Sequence, residues 1–294
     1  MSLTSRDEAL ALARGQLEGV NRYCFAHVPR TGGSALLDFL FTNLGNDFVL
    51  DTFVESKRFS IFAELRDSGS FQREFASHRF LHIHVPVQIQ RYLEPEKVAC
   101  FTVLRHPFDR IVSYYEWSRK IYRDTQNEQF GCRPEVSLES FIESKMDDIS
   151  VFNIYTYFFA CLVDEGVVRH DVWRSIIVAP PKDAYALALE ALRSFYLTAP
   201  LEELANAAAI LAAIHEPEFL ARQQATGAGG LAPLRQVSRS SSRTVTRHGQ
   251  PLSLRAIELL MEACRYDLPL YEYCMNRFYR QWGGFLYMNT VQAE

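Results

Sequence analysis

The sequence predicts an α/β protein with a mainly parallel central sheet and a helix-rich C-terminal half. In the first half of the chain, short apolar segments typical of buried strands alternate with amphipathic segments typical of helices. The clearest pair is a strand over residues 97–104 and a helix over 108–121 that begins after Pro107. Such alternation indicates parallel strands joined by helical crossovers.

The other elements follow from the same patterns. Residues 23–28 form an apolar strand that Pro29 stops, and residues 34–44 have the apolar spacing of a helix. Less regular segments predict a strand at 48–54 and a helix at 59–66, followed by an apolar run at 80–87. Later windows predict a short strand at 195–198. They also predict helices at 138–145, 151–162, 184–195, 201–214 and 252–277.

We expect one domain over residues 1–294. Residues 1–20 predict a short amphipathic helix that lies on this domain. Residues 226–250 are rich in glycine, serine and arginine, which predicts a loop that is flexible or ordered by a ligand.

Composition excludes several classes of protein. The formal net charge of −4 argues against nucleic acid as a partner, so an anionic ligand must meet a local basic site. The six cysteines and eight histidines show no metal-ligand spacing, so we expect no metal. No stretch approaches the roughly 18 apolar residues of a membrane span, and the N-terminus has no secretory pattern. We therefore expect a soluble, cytoplasmic protein.

The segment from His27 to Ser34 joins the first predicted strand to the first long helix. Unpaired N–H groups and the macrodipole at such a helix start attract anions. Gly32 and Gly33 allow close approach of the backbone, Thr31 and Ser34 add hydroxyl donors, and Arg30 adds a planar, charged fork of donors. The sequence therefore predicts a phosphate-binding loop, although the same residues can serve simply as a turn.

This loop differs from that of nucleoside triphosphatases. The pattern GxxxxGK[ST] is absent, and no loop lysine is present to hold a triphosphate. A kinase or another phosphate-loop NTPase therefore stays an alternative, although the sequence lacks the signature motif of these enzymes.

A second candidate anion site follows the strand over residues 97–104. Arg105 ends this strand, and Ser113 lies eight residues later on the next helix. Because open α/β sheets bind ligands at the carboxyl ends of their strands, both side chains are candidates for a second phosphate. The alternatives are an Arg105 paired to a carboxylate and a Ser113 without a ligand. Arg110 fits a structural ion pair as well as a ligand contact.

Two histidines are candidates for a general base. His82 and His84 lie two residues apart in an apolar, extended segment, so both point to one face. An imidazole with an ordinary pKa of about 6.5 can accept a hydroxyl proton near neutrality. Either histidine can also be a structural residue.

In combination, these motifs resemble those of sulfotransferases that use 3′-phosphoadenosine 5′-phosphosulfate (PAPS). The pattern is most similar to the Golgi carbohydrate type, in the heparan sulfate 2-O-sulfotransferase branch. The similar segments include the Pro-Arg-Thr-Gly-Gly-Ser loop, the Leu-Arg-His-Pro segment that continues to Ser113, and the segment at 195–204. A closing segment at 270–278 is also similar, so the resemblance spans roughly residues 21–281.

The resemblance implies a three-layer, P-loop-NTPase-like fold and a role for each motif. The loop from Arg30 through Ala35 would bind the 5′-phosphosulfate, and Arg105 with Ser113 would bind the 3′-phosphate. His84 would be the catalytic base, and His82 a neighbour that orients the substrate or tunes proton uptake.

At Arg30 the family usually has a lysine that contacts the bridging oxygen of the leaving group. Arginine also offers donors there but has a different geometry. A nucleotide-binding module with impaired turnover is therefore a further alternative.

The resemblance also extends to the predicted flexible loop. Arg235 and Ser238 would contact the nucleotide, although this arginine- and serine-rich segment also fits a solvated loop. The expected activity is transfer of a sulfuryl group from PAPS to a hydroxyl of an acceptor, with carbohydrate as the class that the family favours.

Overall fold

The computed structural model describes residues 6–45, 49–51, 78–84, 97–127, 131–170, 175–227, 230–234 and 251–291. The chain divides into two compact units. Unit 1 comprises residues 1–104, 192–237 and 273–294, and unit 2 comprises residues 105–191 and 238–272. The predicted single domain stays a prediction. The predicted helix at 59–66 lies outside the described residues, as does most of the predicted flexible loop.

Helices and strands alternate along the described residues, as the sequence predicted. The strands are β1 (Arg22–Ala26), β2 (Val49–Asp51), β3 (Phe80–Ile83), β4 (Val98–Leu104), β5 (Val168–His170), β6 (Ser175–Ile177) and β7 (Leu197–Pro200). The α-helices are α1 (Arg6–Gln16), α2 (Gly33–Leu44), α3 (Pro107–Thr125), α4 (Leu138–Glu143), α5 (Ile154–Ala160), α6 (Pro181–Ser194), α7 (Leu204–Ile214), α8 (Glu216–Thr226), α9 (Leu254–Ala263) and α10 (Asp267–Val291). Two 3₁₀ helices, Glu165–Val167 and Leu201–Glu203, precede β5 and α7.

Unit 1 is built on a five-stranded sheet in the order β2-β3-β1-β4-β7. All four neighbouring pairs are parallel. The predicted α/β fold with a parallel central sheet is therefore confirmed. Every residue of β1 and β3 is buried, which is typical of parallel strands covered on both faces.

The register of β1 is fixed on both sides. Phe25 pairs with His82 of β3 and with Phe101 of β4, and the Phe25 and Phe101 rings stack with centroids 5.1 Å apart. The buried hydroxyl of Thr102 donates to the Ala26 carbonyl at 2.6 Å. These contacts fix where β1 ends, and so where the chain turns into the loop that precedes α2.

Helices α1, α2, α7 and α8 contribute to the apolar core of unit 1 together with the sheet. Alternate residues of β1 and β4, including Phe25 and Phe101, point into this core, where they meet Leu36 and Leu40 of α2. The apolar stripe of α2 therefore holds the helix against the sheet, which sets the position of its N-terminus.

Unit 2 has its own apolar core, which includes residues of α3, α4 and α9, among them Ile111, Phe141 and Leu260. It also contains an antiparallel hairpin of β5 and β6, which the sequence did not reveal because both strands have only three residues. The sequence also missed α8.

The prediction of one long helix over 252–277 was wrong. The chain instead forms α9 and α10, with a break at residues 264–266. The side chain of Asn153 accepts the Tyr266 N–H at 2.8 Å, and the Asn153 N–H donates to the Ala263 carbonyl at 2.7 Å. Pro269 then lies in the first turn of α10, where a missing N–H is tolerated.

Across the described ranges, we find no helix that is both long and apolar enough to cross a membrane.

A buried carboxylate in unit 2 should make stability depend on pH. Asp267 accepts hydrogen bonds from the Tyr155 N–H and from the N–H and hydroxyl of Thr156, yet burial raises its pKa to about 6. Between an ordinary pKa of 3.8 and this value, the folded state binds more protons than the unfolded state. The contribution of Asp267 to stability is therefore present at low pH and is lost as pH rises through about 6.

We expect the stability advantage of the wild type over Asp267→Asn to fall by about 2 kcal/mol between pH 4 and pH 7. Urea denaturation of both proteins across this range measures the difference. Exposed Glu262 provides the control, because Glu262→Gln removes one carboxylate without removing a buried one. Parallel pH profiles for wild type and Asp267→Asn would contradict the assignment.

Candidate functional site

The predicted phosphate loop lies between β1 and α2. Two of its residues, Arg30 with φ of 73° and Gly32 with φ of 83°, have the left-handed backbone conformation. This conformation costs roughly 1–2 kcal/mol for a residue with a side chain. A strained arginine at the entrance to a helix is the kind of backbone feature that concentrates at ligand sites.

Both loop glycines lie against other side chains. A Cβ on Gly32 would be 2.3 Å from Cδ1 of Leu201, the residue that follows β7, and a Cβ on Gly33 would be 2.3 Å from Cδ2 of His27. Neither position has room for a side chain. The loop is therefore packed between the end of β7 and the ring of His27, with its backbone close to both.

Some of the other loop residues form hydrogen bonds within the loop, and one is exposed to solvent. The fully buried Thr31 donates its hydroxyl to the Val28 carbonyl at 2.9 Å, so in this structure the hydroxyl stabilises the loop. The Ala35 N–H donates to the Gly32 carbonyl at 3.1 Å, which closes the first turn of α2. Ser34 is exposed at the start of α2. Phosphate contacts by Thr31, Ser34 and Ala35 stay predictions.

Both candidate bases lie beside this loop, at the carboxyl end of β3. The Ala26–Ile83 pair is the last of the β1–β3 register, and the His27 N–H donates to the Ile83 carbonyl at 2.9 Å. This places His27 next to His84, with ring centroids 4.4 Å apart. His82 lies one pleat earlier on the same face.

The three imidazoles are in direct contact. A ring nitrogen of His27, Nδ1, is 2.8 Å from Nε2 of His82, and the tautomers decide which ring donates. Burial holds the pKa of His27 well below its ordinary value, with further lowering by the nearby His84, His82 and Arg30. His27 is therefore neutral near physiological pH.

His27 is the residue of this site whose contacts the sequence did not reveal. It was assigned only to the beginning of the loop. The position of His27 in the sequence could have revealed these contacts. His27 directly follows β1 as His84 directly follows β3, and adjacent parallel strands bring such residues together.

The candidate residues of the second anion site belong to unit 2. Arg105 directly follows β4 and is 6% exposed, and Ser113 is buried on α3. The hydroxyl of Tyr155 accepts from the Arg105 N–H at 3.2 Å and donates to its carbonyl at 2.6 Å, which fixes the Arg105 backbone.

Arg110, also in unit 2, has a structural role. It is 1% exposed, donates to the Ser150 carbonyl, and lies over the Tyr114 ring at 5.2 Å from the centroid. The remaining candidates, Arg235 and Ser238, lie outside the described residues.

The site in unit 1 combines two chemical capacities. The start of α2 and the Arg30 side chain supply positive potential for an anion. Directly beside them, partly exposed His84 and its neighbours offer ring nitrogens that can accept a proton. A bound anionic group and a proton acceptor can therefore be held together.

The contact of Gly33 with His27 makes this site sensitive to one methyl group. Because His27 is buried and stacked on Phe25, its ring cannot move aside, so we expect Gly33→Ala to destabilise the protein by about 1–3 kcal/mol. Gly15→Ala is the matched control, since nothing lies within 4 Å of its Cβ on α1. That change should stabilise by about 0.4–1 kcal/mol. Equal denaturation midpoints for wild type and Gly33→Ala would show that the close approach is absent.

Comparison with known proteins gives the family of the chain. The family model described as "Sulfotransferase family" matches residues 17–184, which is more than half of the chain. The matched region contains the loop, both candidate bases, Arg105 and Ser113. No curated protein matches the chain. On the family match, the chain belongs to the sulfotransferase family.

Proposed function

We propose that this sulfotransferase transfers the sulfuryl group of PAPS to a hydroxyl of an acceptor, with His84 as the general base. The loop from Arg30 to Ala35 binds the 5′-phosphosulfate. The observation that carries the proposal is the contact between the loop and the histidines, through the ring of His27 packed on Gly33.

The donor part of the proposal is supported by the loop geometry. The left-handed residues Arg30 and Gly32 turn the chain directly into the N-terminus of α2. A phosphosulfate at this helix end gains from the helix dipole and from the guanidinium of Arg30. Leu201 and His27 pack against the glycines and keep the loop in this conformation.

The base part is supported by the position of His84 at the end of β3. It is half-buried, whereas His27 and His82 are only 4% and 3% exposed. Accessibility favours His84 as the group that touches the acceptor. His82, hydrogen-bonded to His27, then orients the substrate or tunes proton uptake.

In the proposed reaction the acceptor oxygen attacks sulfur in line with the bridging oxygen of the phosphosulfate. A new oxygen–sulfur bond forms, the bond from sulfur to the bridging oxygen breaks, and the acceptor proton passes to His84. The products are a sulfate ester and adenosine 3′,5′-bisphosphate. Arg30 stabilises the negative charge that develops on the leaving group.

Further contacts are assigned by the resemblance. Arg105 and Ser113 bind the 3′-phosphate, Arg235 and Ser238 contact the nucleotide, and the acceptor is a carbohydrate. The buried position of Arg105 after β4 and the fixed backbone at this residue are compatible with a charged ligand contact.

A kinase or NTPase would need a loop lysine, and the loop has none. A module that binds the nucleotide without turnover has one feature in its favour, the arginine at position 30. A transfer assay with labelled PAPS and a panel of carbohydrate acceptors decides between this module and an enzyme, because the module binds adenosine 3′,5′-bisphosphate but labels no acceptor.

For the enzyme, we expect His84→Ala to lower the transfer rate by about 10²- to 10⁴-fold, the usual contribution of a general base. Affinity for adenosine 3′,5′-bisphosphate, measured by calorimetry, should stay near that of the wild type. The control is His78→Gln, because His78 precedes β3 and lies outside the histidine cluster. A His84→Ala protein that transfers at the wild-type rate would remove His84 from the mechanism.

A further inference from the structure

The fold brings three histidines together in an arrangement that suits a metal ion. One ring nitrogen of each of His27, His82 and His84 lies within 4.8 Å of the other two. Within the described part of the chain, this is the one group of histidine, cysteine and acidic side chains close enough to share an ion. The pairing of β1 with β3 brings the ligands from the two strands together, and the contact with Gly33 fixes the position of the His27 ring.

One pair of these nitrogens has nearly the spacing that a tetrahedral ion requires. Two nitrogens that each lie about 2.0 Å from a tetrahedral zinc ion are roughly 3.3 Å apart. Nδ1 of His27 and Nε2 of His82 are now 2.8 Å apart in a hydrogen bond, so to bind zinc they must part by about half an ångström and both rings must turn toward the ion. His84, being half-buried, leaves a path for an ion from solvent.

We propose that His27, His82 and His84 bind a zinc ion with the fourth coordination position open. Three imidazoles and no carboxylate form a ligand set that selects zinc over magnesium or calcium, which prefer oxygen ligands. Arg30 and the N-terminus of α2 are positive neighbours that weaken cation binding. Zinc is therefore bound reversibly, and more weakly than at a closed structural site.

Zinc at this position inhibits sulfuryl transfer. This consequence rests on the proposed function, because it requires His84 to be the base. A nitrogen lone pair that binds zinc cannot also accept the proton of the acceptor. The site then acts as a metal-sensitive brake that a chelator releases.

The zinc site is tested by direct binding. We expect calorimetric titration of metal-free protein with Zn²⁺ to show one site, and titration with Mg²⁺ to show none. His27→Gln and His84→Gln should each weaken zinc binding by at least about tenfold, since even changes to groups that only support a ligand cost 10- to 100-fold. His78→Gln should bind like the wild type.

Cobalt gives a second readout that a purely structural effect would not produce. Co²⁺ in a tetrahedral site has an intense visible spectrum, which we expect in the wild type and in His78→Gln and not in His84→Gln. Because His84 is half-buried, its replacement tests the site even if His27→Gln fails to fold. Zinc affinity and cobalt spectra that are the same in the wild type and in folded His84→Gln would overturn the proposal.

The zinc site and the proposed sulfotransferase function can be tested separately. Transfer measured in excess chelator tests the sulfotransferase function without zinc, whereas the binding experiments test the site without a substrate. Inhibition by added Zn²⁺ that a chelator reverses would support the brake. Transfer that is unchanged or faster with the site filled would contradict it.

Discussion

The parallel pairing of β1 with β3 is the constraint on which the site depends. It ends both strands at the same level, so that His27 and His84 meet with ring centroids 4.4 Å apart. The same strand end begins the loop whose Gly33 packs on His27. A shift of one residue in this register would move His82 and His84 to the other face of the sheet and separate them from the loop.

The loop and the histidines support each other physically. The ring of His27 occupies the space where Gly33 has no side chain, and it is held there by stacking on Phe25, with centroids 5.2 Å apart, and by its bond to His82. Burial is the main reason that the pKa of His27 lies well below its ordinary value, and the charge of Arg30, which favours an anion at the loop, lowers that pKa further. The same surroundings therefore favour an anion at the loop and a neutral His27 beside it.

Local patterns in the sequence were sufficient to predict β1, β4, α2, α3 and the position of the loop, because each depends on apolar spacing and on Pro29 or Pro107. They could not reveal the contact between His27 and His82, which are 55 residues apart in sequence and meet only through strand pairing. For the same reason, no metal was expected from the spacing of histidines. The break between α9 and α10 was missed because it depends on the side chain of Asn153 from a distant segment.

The central claim is that the loop at the start of α2 belongs to a site for an adenosine bisphosphate and not for a magnesium-bound triphosphate. Its most direct test is calorimetric titration of the chelator-treated protein with adenosine 3′,5′-bisphosphate, compared with ATP in the presence of Mg²⁺. We expect the bisphosphate to bind at one site without any metal and more tightly than ATP. Magnesium-dependent binding of ATP, with no binding of the bisphosphate, would contradict the claim.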